Sequence, residues 1–180
     1  MIRVVLIVLL AIALFAISMP ALDDARTGIT IDRMETEGDR IERAAGSVVA
    51  DSMAVDERAL AARSSLVVGP PTGFAAAPVE RFALVDAERV DGVDDGHRVG
   101  ASERTWIGLN AGVDFDADVM LAYRLQGAPT RTVPLSNPEG VGSLDIVGGR
   151  VDLRTDGESR LELRFVDGGD GPTVRIQRTG

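Results

Sequence analysis

The order of apolar and polar positions divides the chain into three stretches. Residues 4–17 carry no charge and no polar side chain, and the apolar run continues to Leu22 with only Ser18 and Pro20 interrupting it. As a helix at about 1.5 Å per residue, Val4–Leu22 reaches roughly 28 Å, close to the ~30 Å of a bilayer hydrocarbon core. From Asp23 to Ser64 the pattern predicts an amphipathic helix. Met34, Ile41, Val48 and Val55 recur every seven residues, with Ile31, Ala45 and Ser52 beside them. So narrow a stripe has the width of a docking seam. Two readings of it stay open: packing on the chain's own globular part, or meeting partner helices. Gly38 and Gly46 each weaken a helix by about 1 kcal/mol relative to Ala, so a break or hinge is expected near either. Arg33 with Glu37 and Asp39 with Arg43 are spaced for i,i+4 ion pairs.

Gly69-Pro70-Pro71-Thr72-Gly73 ends this region, because neither Pro nor Gly continues a helix cheaply. Beyond it the period falls to two. Leu144 and Ile146, Val151 and Leu153, Leu161, Leu163 and Phe165, then Val174 and Ile176 alternate with polar residues. Gly148-Gly149 and Asp156-Gly157 between these runs are type I′ hairpin pairs by composition, and Asp167–Gly171 makes a longer turn. Residues 144–179 are therefore expected to form a four-stranded antiparallel meander. Val79–Val85, Arg104–Leu109, Val119–Leu125 and Arg131–Leu135 add four weaker strands, and alternation implies one wet face per sheet. The expected class is α+β: a transmembrane and amphipathic N-terminal helix, then an antiparallel β-sandwich-like domain. The organisation reads as residues 1–22 anchor or signal segment, 23–68 amphipathic helical region, 69–73 linker and 74–180 β-rich domain.

Charge gives the apolar run a direction. Arg3 precedes it and Asp23 and Asp24 follow, which predicts a single-pass protein with a cytoplasmic N-terminus and an extracytoplasmic body. A secretory signal is the other reading, since its apolar region spans about 7–15 residues and Ala16-Ile17-Ser18 offers a cleavage triplet. Without cysteine the chain cannot carry a lipid-modified N-terminal Cys, and its body must be held by packing, not disulfides. The formal charge is −9, every one of the 19 basic residues is Arg, and Asp outnumbers Glu. That acidity argues against nucleic-acid or anionic-lipid binding, since both need a basic patch. Lys-free, Asp-rich surfaces resemble those of halophilic proteins, whose self-repulsion is tolerated where salt shortens the Debye length to a few Å.

Candidate chemistry is sparse. Asp114, Asp116 and Asp118 alternate like the opening of a calcium loop, but Val119 stands where the sharp-turn Gly belongs and Leu125 where the bidentate Glu belongs. The expectation is a solvated acidic loop, as for Asp91–Gly96 and Asp167–Gly171. His97 is the single histidine and reads as a surface residue, and no Gly-x-Ser-x-Gly appears. Trp106 and Tyr123 fall on expected strands and read as core. No catalytic, cofactor or metal residue is therefore expected.

The order of apolar helix, amphipathic helix and β-rich head resembles a type IV pilin-like subunit, with Val4–Ile17 and the Met34, Ile41, Val48 stripe as matching parts. That resemblance implies an N-terminal helix that polymerises and a head that decorates the filament. Two elements of the pattern are missing: a basic leader ending in Gly before the run, and a Glu five residues into it. The segments Met1–Leu6 and Met19–Arg26 also resemble a family of haloarchaeal membrane-anchored proteins associated with pilus- or secretion-like genes. Together they imply a non-enzymatic, membrane-anchored extracytoplasmic protein, an accessory or pilin-like component of a surface assembly. Its partners would be the lipid bilayer through the N-terminal helix, and other proteins or itself through Met34, Ile41, Val48 and Val55. The alternative is a soluble exported binding module released by signal cleavage.

Overall fold

A computed structural model describes residues 2–87, 117–140, 143–168 and 171–180. Among the described residues one helix, α1 (Ile2–Ala50), takes up the N-terminal quarter, and eight strands follow: β1 (Ala62–Val68), β2 (Val79–Asp86), β3 (Val119–Leu125), β4 (Thr130–Leu135), β5 (Ser143–Ile146), β6 (Arg150–Asp152), β7 (Ser159–Asp167) and β8 (Pro172–Arg178). The class is α+β. The helix passes through Gly38 and Gly46 without the expected break and stops at Ala50, short of the expected Ser64. Residues 62–68, read above as helix, form β1. The β-branched Val67 and Val68 suit a strand, and β7 supplies a full antiparallel partner from Ala62↔Phe165 to Val68↔Ser159. The Gly69–Gly73 segment therefore joins β1 to β2 inside the β-domain.

The strands form two four-stranded sheets, ordered β1-β7-β8-β5 and β4-β3-β2-β6. The expected meander over 144–179 does not form. β5 pairs with β8 in parallel (Leu144↔Val174), and β6 crosses to the second sheet, where Leu84 faces Val151. Gly148 and Gly149 do take positive φ, 88° and 75°, but their turn carries the chain between sheets. Gly157 has no positive φ, so Asp156-Gly157 is not a type I′ pair. A tight turn fixes only a local reversal of direction; the three-residue β6 gains more by pairing with the exposed edge of β2.

One core joins both sheets to the helix. Met34, Ile41, Ala45 and Val48 of α1 cluster with Phe82, Leu84, Leu121 and Tyr123 of one sheet and Leu161, Leu163, Val174 and Ile176 of the other. α1 packs on β1 and β4, the edge strands of the two sheets, so it closes one open flank of the sandwich. The opposite flank ends in β5 and β6, which at four and three residues offer little edge to a foreign strand. The expectation of one wet face per sheet holds for β7, whose burial alternates over most of its length, but not for β2 and β3. Their second face is buried too, around Ala83, Val85, Ala87, Met120 and Ala122. The unbroken apolar run Val119–Ala122 is the sequence signature of such a doubly buried strand.

Candidate membrane anchor and its junction with the head

The N-terminal half of α1 stands clear of the β-domain. Every residue from Arg3 to Ala25 is exposed, and no part of the most apolar window is buried. By length and composition this helix can cross a membrane, a test that a signal sequence also passes. Ser18, the polar residue inside the run, donates its hydroxyl to the Leu14 carbonyl at 2.8 Å, a back-bond that suits an apolar surrounding. Pro20 lies within the helix and lacks the backbone N–H that would complete the ladder there.

The next turns tie the helix to the head. Arg26 lies 3.6 Å from Asp23 and holds its guanidinium 5.8 Å from the centre of the Phe74 ring, on the loop between β1 and β2. One turn on, the fully buried Thr30 hydroxyl donates to the Arg26 carbonyl and accepts from the Ala77 N–H, both at 2.9 Å. At Gly38 an added Cβ would lie 3.0 Å from Val133 Cγ1, so the missing side chain lets β4 approach. Glu42 Oε1 accepts from the Ser136 N–H at 2.6 Å. Between helix and loop lies an open cleft of about 300 Å³, lined by Ile29, Arg33, Glu37, Pro70, Thr72 and Ala76 among others. Glu37 Oε2 is buried there without a hydrogen-bond partner. Desolvation raises the Glu37 pKa above the usual carboxylate value, and Arg40 at 3.8 Å together with Arg33 offsets only part of that.

The apolar stripe resolves toward the chain's own domain. Met34 and Ile41 are fully buried and Val48 nearly so, all in the sandwich core, while Val55 lies past the helix end and bridges Val166. These side chains are therefore not free to meet partner helices, which corrects that reading. The expected ion pairs also rearrange. Glu37 pairs with Arg40, and Arg43 donates to the Asp39 carbonyl. Tyr123 is buried as expected, and burial raises its pKa despite the opposing field of Arg131.

Asp118 is engaged in the fold: its Oδ2 accepts from Asn137 Nδ2 at 2.8 Å and from the Leu144 N–H at 3.2 Å. Asp114, Asp116, the Asp91–Gly96 loop, His97, Trp106 and the strand expected at 104–109 lie outside the described residues. Among the described residues no group of three His, Cys, Asp or Glu could hold a metal ion. The outer face of the β1–β7–β8–β5 sheet carries a row of arginines: Arg63 faces Arg164, which faces Arg175. Carboxylates interrupt it. Glu162 accepts from Arg164 and Gln177, and Asp145 lies 3.1 Å from Arg175. The Arg164 hydrogen bond holds the Glu162 pKa below its usual value, outweighing desolvation.

Sequence reasoning missed Thr30, Gly38, Glu42 and Phe74. Gly38 carried the one usable signal, a helix-weakening residue facing the same way as the stripe, where close approach is the common reason to keep it. The remaining three depend on which loop folds onto which turn.

Fold and junction together define a β-sandwich head carried on a single long helix whose free half is apolar. The chain matches the family model described as domain of unknown function (DUF7311) over residues 1–179, and it belongs to that family. No curated protein and no solved structure matches it.

Proposed function

We propose that this protein is a non-enzymatic, single-pass membrane protein. Its apolar half-helix stays in the bilayer, and its β-sandwich stands outside the cytoplasm as an accessory or pilin-like component of a surface assembly. The observation that carries the reading is the division of α1: the free half is apolar all round, while the half that continues it is built into the core. A helix with no polar face needs an apolar surrounding, and the head supplies none to residues 4–22. Arg3 before the run and Asp23 and Asp24 after it favour the outward orientation. Because the Met34–Val48 stripe is spent on the head, assembly would use the free half-helix or the outer sheet faces.

Fractionation with surface proteolysis of intact cells tests this. The intact mass should retain Arg3, the protein should resist alkaline carbonate extraction, and added protease should digest the head without lysis. A soluble mature form lacking its first 18 residues or so would establish the cleaved, released module instead. A head protected until lysis would reverse the orientation.

A further inference from the structure

The loop between β1 and β2 shares its lack of charge with the apolar run at the N-terminus. Residues 64–79 carry no charge in a protein that is 26% charged, and Gly73, at φ 99°, turns the loop just before Phe74. The Phe74 ring is 82% exposed. Exposure alone means little, since Met53 past the helix end is 83% exposed. Phe74 differs in where it stands. Residues 69–72 and 75–76 line the cleft together with Ile29, Arg33 and Glu37, Phe74 reaches Arg26, and Ala77 returns to Thr30, one turn farther from the apolar run. The loop tip therefore points toward the anchor. Arg26 is four residues beyond Leu22, the last apolar residue of the run, which is about 6 Å along the helix axis. The headgroup layer on each side of a bilayer is about 5–8 Å deep, so the ring sits at headgroup height when Leu22 ends the hydrocarbon span.

Resting on the reading of α1 as an anchor, we propose that the Gly69–Ala77 loop is a lipid-contact element. It lies on the bilayer that α1 crosses, with Phe74 seated among the headgroups and the Arg26 guanidinium at the level of the phosphates. The occupant is lipid, because the bare ring and the end of the apolar run lie on the same side of the head and at the same height. Aromatic rings suit that layer, and an Arg there can keep its stem in apolar surroundings while its head reaches phosphate. The loop would act as a foot, giving the head a second point of contact beside the helix.

The absence of cysteine makes single-site labelling clean. Full-length Leu14→Cys, Ala75→Cys and Met53→Cys, each carrying an environment-sensitive fluorophore, are reconstituted into phosphatidylcholine vesicles with or without nitroxide-bearing lipids. Leu14 reports the anchor, Ala75 the loop with Phe74 intact, and Met53 the head, just past Ala50, which is about 36 Å along the helix from Arg26. The expected result is strong quenching at Leu14 by acyl-chain nitroxides, quenching at Ala75 by headgroup nitroxides, and none at Met53. Adding Phe74→Asp should abolish the Ala75 signal and leave Leu14 unchanged. Quenching at Leu14 with an Ala75 label as aqueous as Met53 overturns the loop proposal and spares the anchor. A blue-shifted Ala75 label that lipid nitroxides do not quench also overturns it, in favour of a protein contact. An aqueous Leu14 label removes the anchor reading and the loop with it.

Discussion

Along α1, the half up to Ala25 and the half from Arg26 to Ala50 belong to one continuous helix but differ in what their side chains face. The first half is exposed, and its Val4–Leu22 run is apolar on every side; the second is charged, with an apolar stripe only one or two residues wide. In water the first half is an unpaid hydrophobic surface, whereas the second already has its burial partner in the two sheets. Helix formation in both halves thus depends on surroundings more than on propensity, as the intact passage through Gly38 and Gly46 illustrates. Stability of the head and retention in the membrane should therefore be separable by mutation.

A charge placed in each half makes the sharpest test. Ile41→Asp puts a carboxylate in the sandwich core and should cost several kcal/mol, enough to make the head protease-sensitive while the protein stays in the membrane fraction. Leu10→Asp should do the reverse. It penalises insertion by about 2.5–3.5 kcal/mol, weakening membrane retention, and leaves the melting of the head unchanged. If both variants lose both properties, the two halves are one cooperative unit and the comparison fails.

A smaller effect is expected where the halves meet. Thr30→Val keeps the shape but removes the acceptor for the Ala77 N–H. The loss should be about 1–3 kcal/mol in denaturant melts of the detergent-solubilised protein, without release from membranes. An unchanged midpoint would mean the loop is not held by that bond.

The smallest effect should come from Glu37. Its raised pKa means the folded state holds the proton more tightly than the unfolded state. Stability from this group is then greatest below the unfolded value and falls as pH rises through the raised one. Glu37→Gln should melt slightly higher than wild type at neutral pH, with the gap closing below about pH 4.5. A gap that widens on acidification would give the carboxylate a stabilising partner instead.

Much of this layout was legible in the chain. The apolar N-terminal helix came from its uninterrupted run and the Met34, Ile41, Val48 stripe from periodicity, and β3 was located to the residue because Val119–Leu125 is apolar but for Arg124 and bounded by turn formers. β1 was hidden. The heptad spacing continues by coincidence to Val55, and Ala59, Ala61 and Ala62 favour helix, so nothing local marks the change at Ala62. The parallel β5–β8 pair was hidden for another reason: alternation identifies strands but says nothing of their partners, and Gly148-Gly149 suits a crossing as well as a hairpin. At the junction, Phe74 and Thr30 gain meaning only once the loop lies on the helix, a long-range contact that spacing along the chain cannot encode.

The continuity of α1 has a rotational consequence. In an unbroken helix each residue adds about 100° of turn and 1.5 Å of rise, so the anchor and the head are locked in azimuth as well as in height. The head cannot swivel on its stalk without unwinding it. One residue inserted between Leu22 and Arg26 would swing the Phe74 side of the sandwich by more than a quarter-turn relative to the apolar run. If copies assemble through the apolar run, as proposed above, each head would present the same sheet face, and the length of that short segment would set which face it is.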